Sequence, residues 1–287
     1  MVQLVDSDIK TREVLSWKGV HVLHASMSTC SKKLRIFLNL KGIPWQSHLI
    51  DLAKNENMSA WYLGINPRGL VPVLVDDGAV HIESNDIITY LEAKFPEPRL
   101  IPAGYENEVA KLLRHEDDLH VDIRTLSFRF VFAPAAPRKT VEDLKRYRTL
   151  GSGTVGGVED AEIGHQIDFW SHYANHGISD EQARESATRF RAEFDALDRK
   201  LATQPYLLGD HITVLDIAWF IYVDRLTLAA YPFKRLHPRV SEWFTGLVQR
   251  PEFAKEVALP QPVSEQFAAT RRAHAAAGKS LELVAGL

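Results

Sequence analysis

Asn66-Pro67-Arg68-Gly69-Leu70-Val71-Pro72-Val73-Leu74-Val75-Asp76-Asp77-Gly78-Ala79-Val80-His81-Ile82-Glu83-Ser84 is the stretch on which the fold turns. Its first four residues read as a turn. Val71 to Val75 reads as a strand with proline near its start, where a missing donor is tolerated. Asp76-Asp77-Gly78 is a tight hairpin turn, and Ala79 to Ile82 is the returning strand. Ser84 opens a helix whose apolar residues fall at 87, 88, 91 and 95, a helical spacing. Pro96-Glu97-Pro98 ends it.

Upstream, Val20 to Leu23 is a short β-branched strand. Lys32 to Lys41 carries apolar residues at 34, 36, 37, 38 and 40, a helix with one broad buried face. Gly42 suits a left-handed C-terminal cap. Trp45 to Leu52 reads as a second strand. A βαβ unit therefore precedes the ββα unit. Residues 1–18 read as a polar leader, partly helical.

Downstream the pattern changes. Residues 98–104 read as a linker, and Glu106 to Phe132 as one long helix. No strand is expected after it. Further helices are expected near 160–176, 180–203, 213–229, 238–249 and 263–277. An irregular insertion spans about 134–160, marked by Pro134, Pro137 and the glycines from 151 to 157. Stretches of that length are commonly functional or mobile. The tail from Gly278 to Leu287 reads as loosely attached. The fold class is α/β plus all-α. An N-terminal βαβ–ββα domain (19–97) precedes an all-helical domain (105–287) that carries the insertion.

Composition excludes several classes. The 287 residues, 45% hydrophobic and 25% charged, suffice for one large or two ordinary domains. A net charge of -3 offers no basic footprint for nucleic acid. No run of about 18 apolar residues exists, so no membrane span is expected. Asp6, Asp8, Lys10, Arg12 and Glu13 leave the first residues without the apolar core of a signal peptide. The single cysteine, Cys30, excludes an intrachain disulfide and a cysteine-built zinc site. A cytoplasmic location fits. Among the 12 histidines, His115 and His120 flank an acidic run, and His172 and His176 have a ligand-like spacing. No HExxH motif is present, and no metal site is expected.

The element order and four motifs resemble the cytosolic glutathione S-transferase superfamily. The first motif is Ser28-Thr29-Cys30-Ser31, which opens the first helix much as the zeta-type signature does. The second is the Asn66 to Leu74 run. The third is Glu83-Ser84, 11 residues after Pro72. The fourth is Thr213-Val214-Leu215-Asp216, which resembles the family's capping box. Together they span most of the chain.

The resemblance implies a thioredoxin-like first domain that binds glutathione as co-substrate. It assigns Ser28 as the hydroxyl that favours thiolate, with Ser26, Thr29 and Ser31 as neighbouring candidates. A hydroxyl at a helix N-terminus sits where negative charge is favoured. The same resemblance implies a cis Val71-Pro72 bond, with Leu70 and Val71 presenting backbone to the cysteinyl moiety. Glu83 would take the γ-glutamyl ammonium and Ser84 the carboxylate. Cys30, two residues beyond Ser28, is included among the contact residues.

Each motif also has a plainer reading. Serine caps many helices without chemistry. A Val-Pro pair marks edge strands, and a lone cysteine commonly fills a core. If Cys30 is the reactive group, thiol transfer replaces serine-assisted attack.

The resemblance further implies a small hydrophobic or aromatic electrophile. Its pocket is expected along Glu106 to Phe132, at Phe128, Phe130 and Phe132, and around Tyr222 and Arg225. Conjugation, ether cleavage, dehalogenation and isomerisation all fit the serine classes. A homodimer is implied, or a heterodimer with a related chain. The insertion is similar to that of the ganglioside-induced differentiation-associated relatives. That likeness keeps a non-catalytic glutathione-fold binding module as the rival reading.

Overall fold

The computed structural model describes residues 2–132 and 139–287. Five strands form one sheet: β1 (Val2–Gln3), β2 (Val20–His24), β3 (Gln46–Leu49), β4 (Val73–Asp76) and β5 (Ala79–Ile82). Between and after them lie α1 (Thr29–Lys41), α2 (Ala60–Leu63) and α3 (Ser84–Lys94). The chain continues as α4 (Glu106–Asp117), α5 (His120–Phe130) and α6 (Val141–Leu150). A small hairpin, β6 (Thr154–Val155) and β7 (Val158–Glu159), leads to α7 (Glu162–His176). The remaining helices are α8 (Asp180–Lys200), α9 (Val214–Leu228), α10 (Phe233–Leu236), α11 (Pro238–Val248), α12 (Pro251–Val257), α13 (Gln261–Ala276) and α14 (Leu281–Ala285).

The chain divides into two compact units. One holds residues 2–98 together with 139–176, and the other holds 99–132 with 177–287. Residues 139–160 of the expected insertion thus belong with the first unit, not with the helical one. Residues 134–138 of that insertion lie outside the described residues. The reason is an apolar contact: Tyr147 and Ile167, from α6 and α7, bury themselves against Met58 and Leu63, with Leu150 and Ile163 alongside.

In the first unit the strand order is β1-β5-β4-β2-β3. Only β2 and β3 run parallel; the other pairs are antiparallel. The leader does not stand apart. Val2–Gln3 adds the edge strand beside Ile82 and His81, and Leu4, Ile9 and Val14 join Val73, Val75, Val80 and Ile82 in one core. The polar composition of residues 1–18 hides these apolar anchors. On α1, Leu34, Ile36, Phe37 and Leu38 are fully buried. Ser28 caps its start, and Gly42, at φ 64°, caps its end.

In the second unit α9 is buried at every position from Val214 to Leu226. A helix buried all round is the centre of its unit. The expected single helix over 106–132 is two. At Leu119 the hydrogen bond shortens to Glu116 O, three residues back at 3.1 Å, and Leu119 itself is buried. No glycine or proline marks that bend. The tail is also anchored, since Leu281 and Val284 of α14 are buried and the Arg184 Nε donates to Val284 O at 3.1 Å.

Candidate active site

Sheet topology assembles the expected residues at one end of the first unit's sheet. β2 ends at His24 and leads into the Ser28 loop. β4 is antiparallel to β2, pairing Val73 with Leu23, so Val71-Pro72 lies at that same end. β5 is antiparallel to β4, pairing His81 with Leu74. Glu83 therefore emerges beside Pro72. Three loops distant in sequence converge because three neighbouring strands alternate in direction.

Ser28 is the N-cap of α1, and its Oγ accepts the Ser31 N–H at 3.2 Å. Ser28 is half-buried, whereas Ser31 is fully buried and its Oγ accepts the Ala25 N–H at 3.2 Å. Thr29 is also buried, and Cys30 is half-buried in the first helical turn. Buried Arg35 donates to the Ala25 and Ser26 carbonyls at 3.2 Å each, and lies 3.1 Å from His24 Nδ1. A guanidinium thus staples the strand-to-helix loop from below. Sequence reading missed this role for Arg35, whose place in a helical pattern signals nothing special.

The Val71-Pro72 peptide bond is cis. Its approach is fixed by side chains: the Leu70 carbonyl accepts from Tyr62 OH at 2.6 Å and Asn66 Nδ2 at 2.9 Å. Asn57 Nδ2 donates to the Gly69 carbonyl at 2.7 Å. Gly69 has φ 60°, and an added Cβ would lie 3.1 to 3.2 Å from Leu63, Asn57 and Tyr147. Glycine is thus required twice over at that turn.

Glu83 caps α3 with φ 67°, a backbone region that side chains other than glycine enter at about 1–3 kcal/mol. It supplies no side-chain cap, so its carboxylate serves elsewhere. Glu83 Oε1 meets Arg68 Nη1 at 2.6 Å. Ser84 is buried at the first position of α3.

Arg68 has a second partner. Its Nε and Nη2 donate to Asp160 Oδ2 and Oδ1 at 2.7 and 2.8 Å, a bidentate fork. Burial pulls the Arg68 pKa down, but Asp160 and Glu83 more than reverse that, so the guanidinium stays charged. Asp160 follows the β6–β7 hairpin, which the leader holds. Fully buried Asp8 accepts from Thr154 Oγ1 at 2.7 Å and from the Gly156 and Gly157 N–H groups at 2.8 and 3.0 Å. Arg68 stands in the quoted motif, but nothing local in the sequence pairs it with Glu83 or Asp160.

The residues expected to line a second-substrate pocket separate into two sets within the helical unit. Phe130, Tyr222 and Arg225 are buried. Tyr222 OH donates to Glu116 O at 3.1 Å, and Arg225 Nη1 to Ser127 Oγ at 3.1 Å. These three are framework. Phe128 and Phe132 are half-buried, 5.3 Å apart, with Phe267 6.1 Å from Phe132. The helical period turns Phe130 inward and leaves Phe128 and Phe132 on one outer face.

Among the described residues no group of three His, Cys, Asp or Glu is placed to hold a metal ion. No helix among them is long and apolar enough to cross a membrane.

Comparison with known proteins now bears on this arrangement. The family model described as glutathione S-transferase, N-terminal domain, matches residues 27–94, and the C-terminal domain model matches 180–246. The chain belongs to the glutathione S-transferase superfamily. Glutathione S-transferase hmp2 of Hypomyces subiculosus is 27% identical over 238 residues, covering 82% of this chain and 95% of that protein. The maleylacetoacetate isomerase of Pseudomonas aeruginosa is 44% identical, but over 77 residues only, 26% of this chain and 36% of that protein. The crystal structure of the β-etherase LigF from Sphingobium sp. strain SYK-6 superposes with a TM-score of 0.70 at 24% identity, covering 83% of this chain and 98% of that one. That likeness establishes the fold. The superfamily models leave residues 2–26 and 139–176 outside their matches, and those are the segments that bring Asp8 and Asp160.

Proposed function

We propose that this transferase-family chain takes glutathione as co-substrate, with Ser28 donating a hydrogen bond to the sulfur. One observation carries the reading. Ser28 Oγ spends a lone pair on the Ser31 N–H, which leaves its hydroxyl hydrogen to point at a ligand. The N-terminus of α1 adds a favourable potential for negative charge. Both effects lower a bound thiol's pKa and raise its thiolate fraction. Ser31, buried and engaged with Ala25, is the poorer candidate, and buried Thr29 stands behind Ser28 as well. Leu70, Val71 and Pro72 would align the cysteinyl backbone. Glu83 and Ser84 would hold the γ-glutamyl end.

The thiolate then attacks an electrophilic carbon of a small hydrophobic or aromatic substrate. A sulfur–carbon bond forms as the electron pair departs with an alkoxide or halide. In an isomerisation the sulfur adds to a carbon–carbon double bond conjugated with a carbonyl, and the electron pair moves onto that carbonyl as an enolate. The former double bond rotates as a single bond, and the returning pair expels the thiolate. The isomerase and transferase relatives motivate this range, and the half-buried Phe128 and Phe132, backed by buried Phe267, motivate an aromatic substrate. We read the protein as a cytoplasmic homodimer, with a heterodimer of related chains as the other assembly.

Ser28→Ala is expected to lower kcat/KM with a general electrophile about tenfold to a hundredfold, the worth of one charge-assisted hydrogen bond. Ultraviolet thiolate absorbance should report a higher pKa for bound glutathione, with its dissociation constant little altered. Retention on immobilised glutathione without turnover, unaffected by Ser28→Ala, would establish a binding module. Loss confined to Cys30→Ser would move the chemistry to thiol exchange.

A further inference from the structure

The Arg68 cluster has a charge balance that bears on what it can bind. Its guanidinium lies between two carboxylates, Glu83 at 2.6 Å and Asp160 at 2.7 Å. Among these three groups, one positive and two negative charges sum to minus one. Without Asp160, Arg68 and Glu83 would form a neutral pair. An ammonium approaching Glu83 would then meet a carboxylate whose charge Arg68 already balances.

We propose that Asp160 is a positioning and specificity residue for the amino end of the co-substrate. It draws two of the guanidinium N–H groups into a bidentate fork, so that Glu83 faces Arg68 through Nη1. It also restores the negative charge that Arg68 would cancel. The exposures agree with this division. The Asp160 side chain is 11% exposed and Arg68 17%, while Glu83, the group that would meet a ligand, is 36% exposed. Asp160 therefore acts through Arg68 and needs no contact with the ligand. Its location is itself fixed, since the Asp160 N–H donates to Gly153 O at 3.1 Å across the base of the hairpin.

This inference rests on the glutathione reading above, and the experiment separates the two. Titration calorimetry on the full chain would compare glutathione with an analogue lacking the γ-glutamyl amino group. Asp160→Asn is expected to weaken glutathione binding about tenfold or more, the effect of one unit charge removed nearby at a partly buried site. Affinity for the amine-free analogue should not change. Adding Arg68→Gln to Asp160→Asn restores the net charge of minus one, and should recover part of the loss. Equal weakening toward both ligands, or no recovery in the double variant, would make Asp160 a structural brace and overturn the proposal. Glutathione binding that Asp160→Asn leaves intact would also overturn it, with the glutathione reading unharmed. A wild-type chain that binds neither ligand would remove both.

Discussion

Asp8 and Asp216 are both fully buried carboxylates, and they respond to acid in opposite senses. At Asp8, burial raises the pKa, but the Thr154 hydroxyl and the Val5, Gly156 and Gly157 amides outweigh it. The pKa ends below its ordinary 3.8. At Asp216, burial prevails over four donors: Leu207 N–H, Thr213 N–H and hydroxyl, and Trp243 Nε1, all at 2.9 to 3.1 Å. That pKa ends above 3.8. By linkage, the stabilisation from Asp8 is complete above 3.8 and is lost as pH falls through its lower folded value. The Asp216 contribution is complete below 3.8 and is lost as pH rises through its higher folded value. Asp8→Asn is therefore expected to cost about 2–3 kcal/mol near neutral pH, with the gap to wild type closing under acid. Denaturant unfolding at a series of pH values would show this; a gap independent of pH would mean that Asp8 is not the acid-labile anchor. The same residues mark the limit of sequence reading. Ser28, Val71 and Glu83-Ser84 were legible because each sits in a short motif with a local cap or turn. Asp160 was not, because its partner Arg68 lies 92 positions away and an aspartate beside a glycine-rich turn reads as turn chemistry.

At the level of elements, long helices were legible, and α7, α8, α9 and α11 lie within a few residues of their expected bounds. Short or weakly patterned pieces were not. The edge strand β1 has two residues, and the β6–β7 hairpin has two on each side, too few for an alternation to register. The break between α4 and α5 has no breaker residue. The final helix, α14, has only five residues and follows Gly278, too short a run for its sequence to signal attachment. Its packing says otherwise. Leu281 is 2% exposed, and Arg235 pairs with Glu282 at 2.6 Å. Leu281→Ala should lower the unfolding free energy by about 2–4 kcal/mol, as measured by denaturant midpoint. A midpoint equal to that of wild type would show that the tail contributes nothing to the helical unit.

For the molecule as a whole, a ligand that binds only the folded chain must stabilise it. Glutathione at about a hundred times its dissociation constant should raise the unfolding free energy by about 2.7 kcal/mol. A melting temperature indifferent to glutathione would count against the proposed co-substrate. The division into units adds something that neither resemblance nor periodicity suggested. The polar leader and the mid-chain insertion, which extend this chain beyond the two superfamily matches, lie in one body. Asp8 of the leader grips the β6–β7 turn, and that hairpin delivers Asp160. Neither segment is complete alone: the leader without the hairpin leaves Asp8 with the Val5 N–H but without its other three donors, and the hairpin without the leader has no clasp. The two additions should therefore be inherited as a pair. Chains descended from the same ancestor would be expected to carry both or neither, and chimaeras that transplant one into a shorter transferase should fold poorly unless the other travels with it.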